Sequence, residues 1–581
     1  MYRHDLAGTG HSPLTDVEPS NVAQLARAWT YDLAAADPAR APRGPASQAT
    51  PIVIGGVMYL PAADRVVALD AATGLEIWRH PVEGGTPSRR GVAYWPGGGS
   101  VEPRIIFTAG RRLIALDAAT GAASAAFGAN GEVDLVVPYN SVPLVYRDTI
   151  VVGANTPPGA RGGIGNARAF DALSGAKRWE FSSVPPEGAV GHDTWAGDSW
   201  RDRLGANAWP FYFTLDEARG LLYLPLASPI PDAYGGDRPG ANLFGNSVVA
   251  VDIETGEYRW HFQTIHHDLW DHDPPAPPAL VDIQRNGQAV PALAHTTTSG
   301  YLYLLNRETG EPLHGIEERA VPASTVPGEQ TFATQPFPAM PPPIARNSYT
   351  AADLVTAEDT NEEHARLCAE LVEANSPLIN DGPFTPWAFR DGDGRAGPTT
   401  LSFPGGLGGA NWGGTAIDPA TGLVFVVSQD VGALGWVQPS TDDPVGFEKS
   451  APRPATFDVG MYGLRWPCQK PPWGRLTAVS VASGEVAWQI PLGITEGLPA
   501  ERQNTGRPAL AGPIATASGL LFVASTDDNR FRAIDARTGA ELWTTQLEAR
   551  GNADPITYRG ADNKQYVAVS ATSSLVVFAL P

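Results

Sequence analysis

The sequence predicts an all-β fold, an eight-bladed β-propeller whose ring is closed by N- and C-terminal strands, and three observations point to it. A hairpin signature recurs along the whole chain. Glycine and proline are abundant, 63 and 54 of 581 residues, as many short strands joined by tight turns require. Two strand-like runs near the C-terminal end, Gln565–Val569 and Ser574–Phe578, lack a local partner, and a run near the N-terminus can supply one.

The signature is an apolar pair, Asp, two residues, Thr or Ser with Gly, then three residues and Trp. It reads Ala68-Leu69-Asp70 with Thr73-Gly74 and Trp78. It returns at Ala169-Phe170-Asp171 with Ser174-Gly175 and Trp179, and at Ala250-Val251-Asp252 with Thr255-Gly256 and Trp260. Further copies run from Ala478 to Trp488, with Ser480 in the Asp place, and from Ala533-Ile534-Asp535 through Thr538-Gly539 to Trp543. Weaker ones sit at Ala115 to Thr120-Gly121 and at Leu305-Asn306 to Thr309-Gly310. Asp and Thr-Gly make a tight turn in which Gly takes positive φ. A Trp at one fixed place per unit is expected to dock between neighbouring sheets. Trp29, in Ala28-Trp29-Thr30-Tyr31, reads as the closing half of an eighth unit, so its strand would complete the last blade and remove an open sheet edge.

Two spacings exceed that of a blade. One carries a loop through Asp193–Asp202. The other, between Gly310 and Ala478, holds an insertion placed at about 315–410, Pro-rich over Pro322–Pro343. Asn361–Glu373 within it reads as one short amphipathic helix with Ala365, Leu367, Cys368, Leu371 and Val372 on its apolar face. The whole chain, 1–581, is read as one propeller domain, with the insertion near the mouth of a site.

Composition narrows the functions. Net charge is −21 and pI about 4.9, which argues against nucleic acid as a partner. No run approaches the roughly 18 apolar residues of a membrane span, and the start, Met1-Tyr2-Arg3-His4, shows no signal peptide. It reads as the start of a mature domain from which any export signal has been removed. Two cysteines, Cys368 and Cys468, fit either one disulfide in an oxidising compartment or two unrelated thiols.

The chemistry is concentrated in His266-His267-Asp268-Leu269-Trp270-Asp271-His272-Asp273-Pro274-Pro275. A carboxylate held at the mouth of a rigid scaffold serves as a metal ligand, a general base or both. The structural alternative is that Asp271 and Asp273 cap a turn while the histidines pack against Trp270. A glycosidase pair is poorly served by carboxylates two residues apart, since that chemistry needs them facing each other across a bond, roughly 5–9.5 Å apart.

With the repeats and this motif together, the chain resembles the quinoprotein dehydrogenases, eight-bladed propellers that use pyrroloquinoline quinone (PQQ) and a metal to oxidise alcohols and sugars. The likeness is greatest to the branch that includes the membrane glucose dehydrogenases. It runs from Asp5-Leu6-Ala7-Gly8-Thr9 to Lys564-Gln565-Tyr566-Val567, through Arg90-Gly91-Val92-Ala93-Tyr94-Trp95, Gly191 to Trp200, Gly409 to Gly414 and Pro467 to Gly474. The resemblance implies roles residue by residue. Asp271 falls on the catalytic Asp, which ligates the metal and takes the alcohol proton. Arg90 falls on an arginine that pairs with a PQQ carboxylate, and Trp209 on the Trp beneath the cofactor. Asn140 and Asn155 lie at polar cofactor contacts, while Asn411 and Trp412 close around the ring system. The metal is expected to be Ca²⁺, with a lanthanide as the alternative that an extra carboxylate, Asp273, would favour. Ser228 falls near another ligand position. A disulfide between Cys368 and Cys468, tying the insertion to the propeller, is also implied.

The departures are specific. Asn155-Thr156-Pro157-Pro158-Gly159 offers no carboxylate where alcohol-oxidising relatives place a Glu ligand. Thr298 stands where relatives carry Lys or Arg on the quinone oxygens, and Lys470 is the candidate replacement cation. No C-x-x-C-H haem site is present, so a separate electron acceptor, a cytochrome c or a quinone, is expected, in the periplasm. The substrate expected is a small alcohol or sugar. The rival of another class is a non-catalytic propeller scaffold of the outer-membrane assembly type, which uses the same hairpins but needs neither Arg90 nor the two Asp.

Overall fold

A computed structural model describes residues 3–35, 47–155, 165–203 and 212–581, apart from positions 233, 286, 393–395 and 444. Trp209 lies outside the described residues.

The hairpin signature folds through its Asp. In the first copy Asp70 Oδ1 accepts hydrogen bonds from the Ala72 and Thr73 amides (3.0 and 2.9 Å) and from Thr73 Oγ1 (2.8 Å). Its carbonyl accepts from the Gly74 amide at 2.8 Å. Just before the Asp, the strand register shifts between Ala68 and Leu69, which sets Ala68 opposite Trp78. The same bulge follows Ala169, Ala250, Ala478 and Ala533, each opposite its Trp, and a bulge sharpens the local twist of a strand pair.

Each docking Trp then reaches the neighbouring sheet. Trp78 donates Nε1–H to the Ala118 carbonyl at 3.0 Å, Trp179 to Ile253 at 2.9 Å, Trp260 to Arg307 at 3.2 Å and Trp488 to Ala536 at 3.1 Å. The turn glycine receives the ring: a Cβ on Gly121 would stand 2.6 Å from Trp78, and one on Gly74 2.5 Å from Trp29. These glycines also hold φ near +70°, so space and conformation both demand Gly there. An indole buried with its N–H satisfied contributes a large apolar area at no polar cost.

In chain order the sheets are four-stranded at 52–81, 93–134, 144–181 and 214–263, three-stranded at 279–306, four-stranded at 415–491, five-stranded at 514–546 with His11–Ser12 added, and four-stranded at 556–579 with Ala26–Asp32 added. In the last, Ala26–Asp32 pairs with Ser574–Ala579, which continues through Gln565–Ala571 to Ile556–Arg559. The ring is thus closed by chain ends, as expected. The N-terminal segment also crosses the first strands of four sheets: Leu6, Ala7, Thr9 and Gly10 carbonyls accept from the amides of Leu215, Leu280, Ile417 and Ala515 at 2.8–2.9 Å.

The insertion differs from the single block expected at about 315–410. A second excursion, 430–473, leaves between the strands Leu423–Gln429 and Gly474–Ser480. The two interleave: Ala433–Pro439 pairs with Thr399–Ser402, Ala388–Phe389 and Phe447–Ser450. Helix α1 (Glu362–Ala374) begins where its N-cap, Asn361, accepts from the His364 amide at 2.9 Å. The disulfide Cys368–Cys468 is present, with Cα atoms 5.3 Å apart. It joins α1 to the second excursion, not the insertion to the propeller sheets.

Candidate active site

Asp268 organises the His266–Pro275 loop. It is buried. Its Oδ1 accepts from the Trp270 amide at 2.8 Å, and its Oδ2 from the His272 amide at 2.9 Å and Asn246 Nδ2 at 2.8 Å. The Ser228 hydroxyl also donates to it. Trp270 is pinned from the first excursion, with Nε1–H on the Thr385 carbonyl at 2.9 Å and its ring edge-on to Phe384. Between these fixed points Asp271 adopts φ +62°, a left-handed conformation that is uncommon outside Gly and tolerated best by Asn and Asp. Two of the motif's histidines are interior groups, His267 bonding the Gly240 carbonyl and Asn242 at 2.9 Å and His272 buried, while His266 bonds Gln263 at 2.6 Å and Glu318 at 3.2 Å.

Asp271 and Asp273 open onto a cavity of about 680 Å³, within the size range of small-molecule sites. Arg90, Thr298, Asn411 and Trp412 line it too, so six of the residues singled out in the sequence meet there. Ser228 stands directly behind: its amide donates to Asp273 Oδ1 at 2.7 Å. Asn140 and Asn155 are joined to each other at 2.9 Å and connect to the Arg90 backbone through Ser88, whose Oγ donates to the Asn140 carbonyl and accepts from the Arg90 amide. Lys470 stands elsewhere, its amide bonded to the Asp353 carbonyl at 2.8 Å, and does not line the cavity. Thr298 gives its hydroxyl and its amide to the Asp273 carbonyl, both at 2.9 Å, and so holds the loop's backbone.

The sequence reading missed two cations. Arg550 lines the cavity. Lys449, on the edge strand Phe447–Ser450, sets its ammonium 3.8 Å from the centre of the Trp387 ring, and its charge acts on Asp271. Both come from segments without a motif, so only chain folding brings them in.

The electrostatics suit a cation. Burial first, then repulsion from Asp273, Asp232 and Asp268, raises the Asp271 carboxyl well above the ordinary range, against the pull of Lys449. Asp273 is pushed up to about 7, mainly by burial, although Ser228 donates to it. Among the described residues neither carboxylate has a basic group within ion-pair distance. Two desolvated carboxylates beside a hydroxyl oxygen form the hard-oxygen donor set that Ca²⁺, Mg²⁺ or a lanthanide takes. Across the same cavity Arg90 supplies a guanidinium, and Trp412, Leu407 and Leu510 supply apolar wall, which suits a flat, anionic organic ring system. The one grouping of three or more His, Cys, Asp or Glu ligand atoms found among the described residues is His364 with Cys368 and Cys468, whose two sulfurs form the disulfide.

A β-propeller with an acidic recess and a guanidinium on one cavity can hold a metal ion beside an anionic organic ligand. The family model for the PQQ-dependent glucose, ethanol and alcohol dehydrogenase β-propeller domain matches residues 1–567, and the chain belongs to that family. It is 30% identical to the quinate/shikimate dehydrogenase (quinone) of Acinetobacter baylyi, over 98% of this chain and 76% of that one. It is also 30% identical to the glycerol dehydrogenase large subunit of Gluconobacter oxydans, over 100% and 85%. The quinoprotein glucose dehydrogenase of Escherichia coli is 30% identical over 98% and 76%. Among solved structures, a europium-containing methanol dehydrogenase superposes with a TM-score of 0.71 at 22% identity, covering 100% of this chain and 97% of that one, and shares the fold.

Proposed function

We propose that this protein oxidises a hydroxyl group of an alcohol, sugar or polyol to the carbonyl, with PQQ as electron acceptor and Ca²⁺ as Lewis acid. The observation that carries this is the pair Asp271 and Asp273, desolvated and without an ion-pair partner among the described residues, facing the same cavity as Arg90 and Trp412. When bound, PQQ would supply the two-electron acceptor and the ion would polarise it. Asp271, Asp273 and Ser228 are the residues that would hold the ion. Arg90 would meet a cofactor carboxylate, and Trp412 and Asn411 would bound its ring.

Asp271 is the base. Oxidation of an alcohol removes the hydroxyl proton and one C–H hydrogen with its electron pair, and the carboxylate on the left-handed turn takes the proton. Burial, and after it repulsion, raises its pKa, and a neighbouring cation offsets both, leaving it ionised and competent. Thr298 fixes the backbone of that loop and brings no charge. Electrons would pass on to a separate acceptor, a cytochrome c or a quinone, in the periplasm.

The test is reconstitution with PQQ and Ca²⁺, followed by dye reduction over a panel of alcohols, polyols and sugars. Reduction that needs both additions is the expected result, and the best substrate names the class. No binding of PQQ with either Ca²⁺ or La³⁺ would overturn the reading and favour a non-catalytic scaffold.

A further inference from the structure

Arg550 has no role in the reaction as read so far, yet it stands on the wall of the same cavity. It lies in the connection between the strands Glu541–Gln546 and Ile556–Arg559. Its guanidinium is clamped by backbone: Nε donates to the Ser525 carbonyl and Nη2 to the Pro508 carbonyl, both at 3.0 Å. Two carbonyls fix the plane of the group and leave Nη1 without a protein partner among the described residues. No carboxylate stands within ion-pair distance of it there either. The nearest acidic groups are taken: Asp527 pairs with Arg507 at 2.6 Å and Asp528 with Arg532. Burial accordingly pulls the Arg550 pKa down. A half-buried guanidinium held by two carbonyls, with no counter-charge, is a ready site for an anion.

The cavity is also polarised. The charged groups that act on Asp271 are Asp273, Asp232, Asp268 and Lys449, whereas those that act on Arg550 are Asp527, Arg507 and Asp528. Asp271 and Asp273 reach the cavity from the His266–Pro275 loop and Arg550 from the connection between Glu541–Gln546 and Ile556–Arg559, on different sheets of the ring. Around the basic part stand neutral hydrogen-bonding groups, Gln48 on Arg90 Nε at 3.3 Å and Thr572 on the Arg550 carbonyl at 3.2 Å. A ligand that satisfies both parts has carboxylates at one end and cation-binding oxygens or nitrogen at the other.

We propose that Arg550 binds a carboxylate of the quinone cofactor, so that Arg90 and Arg550 together grip a planar polycarboxylate from two blades. The proposal rests on the PQQ reading above and adds to it a second guanidinium. Its planar fork, already oriented by backbone, suits a carboxylate better than a flexible ammonium does.

The experiment is titration of the apo-protein, with saturating Ca²⁺, against PQQ and against PQQ trimethyl ester, followed by tryptophan fluorescence and calorimetry. R550M is expected to weaken PQQ binding about 10- to 100-fold, the scale of a charge-assisted hydrogen bond. The ratio of acid to ester affinity should shrink by the same factor, because the ester presents no carboxylate to lose. R550K should recover part of the affinity for the acid. Equal weakening of acid and ester by R550M would mean that Arg550 only braces the Ser525 and Pro508 loops, and would overturn the proposal. Should R550M melt early, R550Q is titrated in its place and read in the same way. Wild type that binds PQQ, with R550M binding it equally well, overturns this inference alone. Wild type that fails to bind PQQ overturns the proposed function and this inference together.

Discussion

Replacing Cys368 and Cys468 by serine together removes the bridge between helix α1 and the second excursion. The bridge closes a loop of 100 residues. The chain-entropy relation gives about 4.7 kcal/mol for a loop of that length. For a 581-residue chain unfolding as a unit, an unfolding entropy of about 1.2 kcal/mol/K converts this to a fall in Tm of roughly 4 °C. A larger fall is expected if the interleaved excursions open ahead of the ring, because a smaller cooperative unit has a smaller entropy. The assay is calorimetric or circular-dichroism melting of wild type and C368S/C468S, each with and without reductant, accompanied by limited proteolysis. Reductant should lower the wild-type Tm and leave the variant unmoved, and cleavage should appear first around α1. Identical melting of both proteins, with unchanged proteolysis, would refute the assignment of the bridge as the tie between the excursions.

Asp271→Asn is expected to cut kcat/KM about 10²- to 10⁴-fold, the usual scale for losing a positioned base, while PQQ binding is retained; steady-state kinetics beside a binding titration checks both. Asp273→Ala should weaken the metal, so that chelation inactivates it at lower chelator concentration than wild type, and a La³⁺-supported activity, if wild type has one, should fall more than the Ca²⁺-supported one. Acid should destabilise the fold through buried histidines: burial lowers His267 and His295 to about 3 and His364 to about 4, below the ordinary 6.5. They stay neutral in the fold while the unfolded chain takes up their protons, so their contribution is complete above pH 6.5 and is lost as pH falls toward 3–4. At pH 5 each costs about 2 kcal/mol, while Asp273 and Asp554, raised to about 7 and about 6, and Asp271, also raised, take up protons in the fold and act in the opposite sense. His295→Asn should therefore lose less Tm between pH 7 and pH 5 than wild type, and an equal pH response in both would contradict this.

Much of the ring was legible because its information is local. Asp, Thr-Gly and Trp occupy fixed offsets, and each does a job within or next to its own hairpin: the Asp caps the turn, Gly supplies positive φ, and Trp fills the space over the next glycine. The helix was legible to within a residue at each end, since its cap and apolar face lie in one continuous segment. Within the site, Asp271, Asp273, Arg90, Thr298, Asn411 and Trp412 were read from motifs and meet at one cavity.

What only tertiary structure decided is the part that depends on distant segments. The second excursion carries no periodic pattern, and its strand Ala433–Pro439 acquires partners 30 to 50 residues away only when the first excursion folds beside it. Lys470 was the candidate cation for the quinone, but its amide is tied to the Asp353 carbonyl and it is not among the residues lining the cavity. Lys449 and Arg550 arrive by folding, from an edge strand and an inter-strand connection. Local sequence determines turns, caps and docking residues because their energies are spent within a few residues of one another. Charge placement in a cavity is decided by which loops the closed ring brings face to face, and by how strongly burial there penalises an unpaired charge.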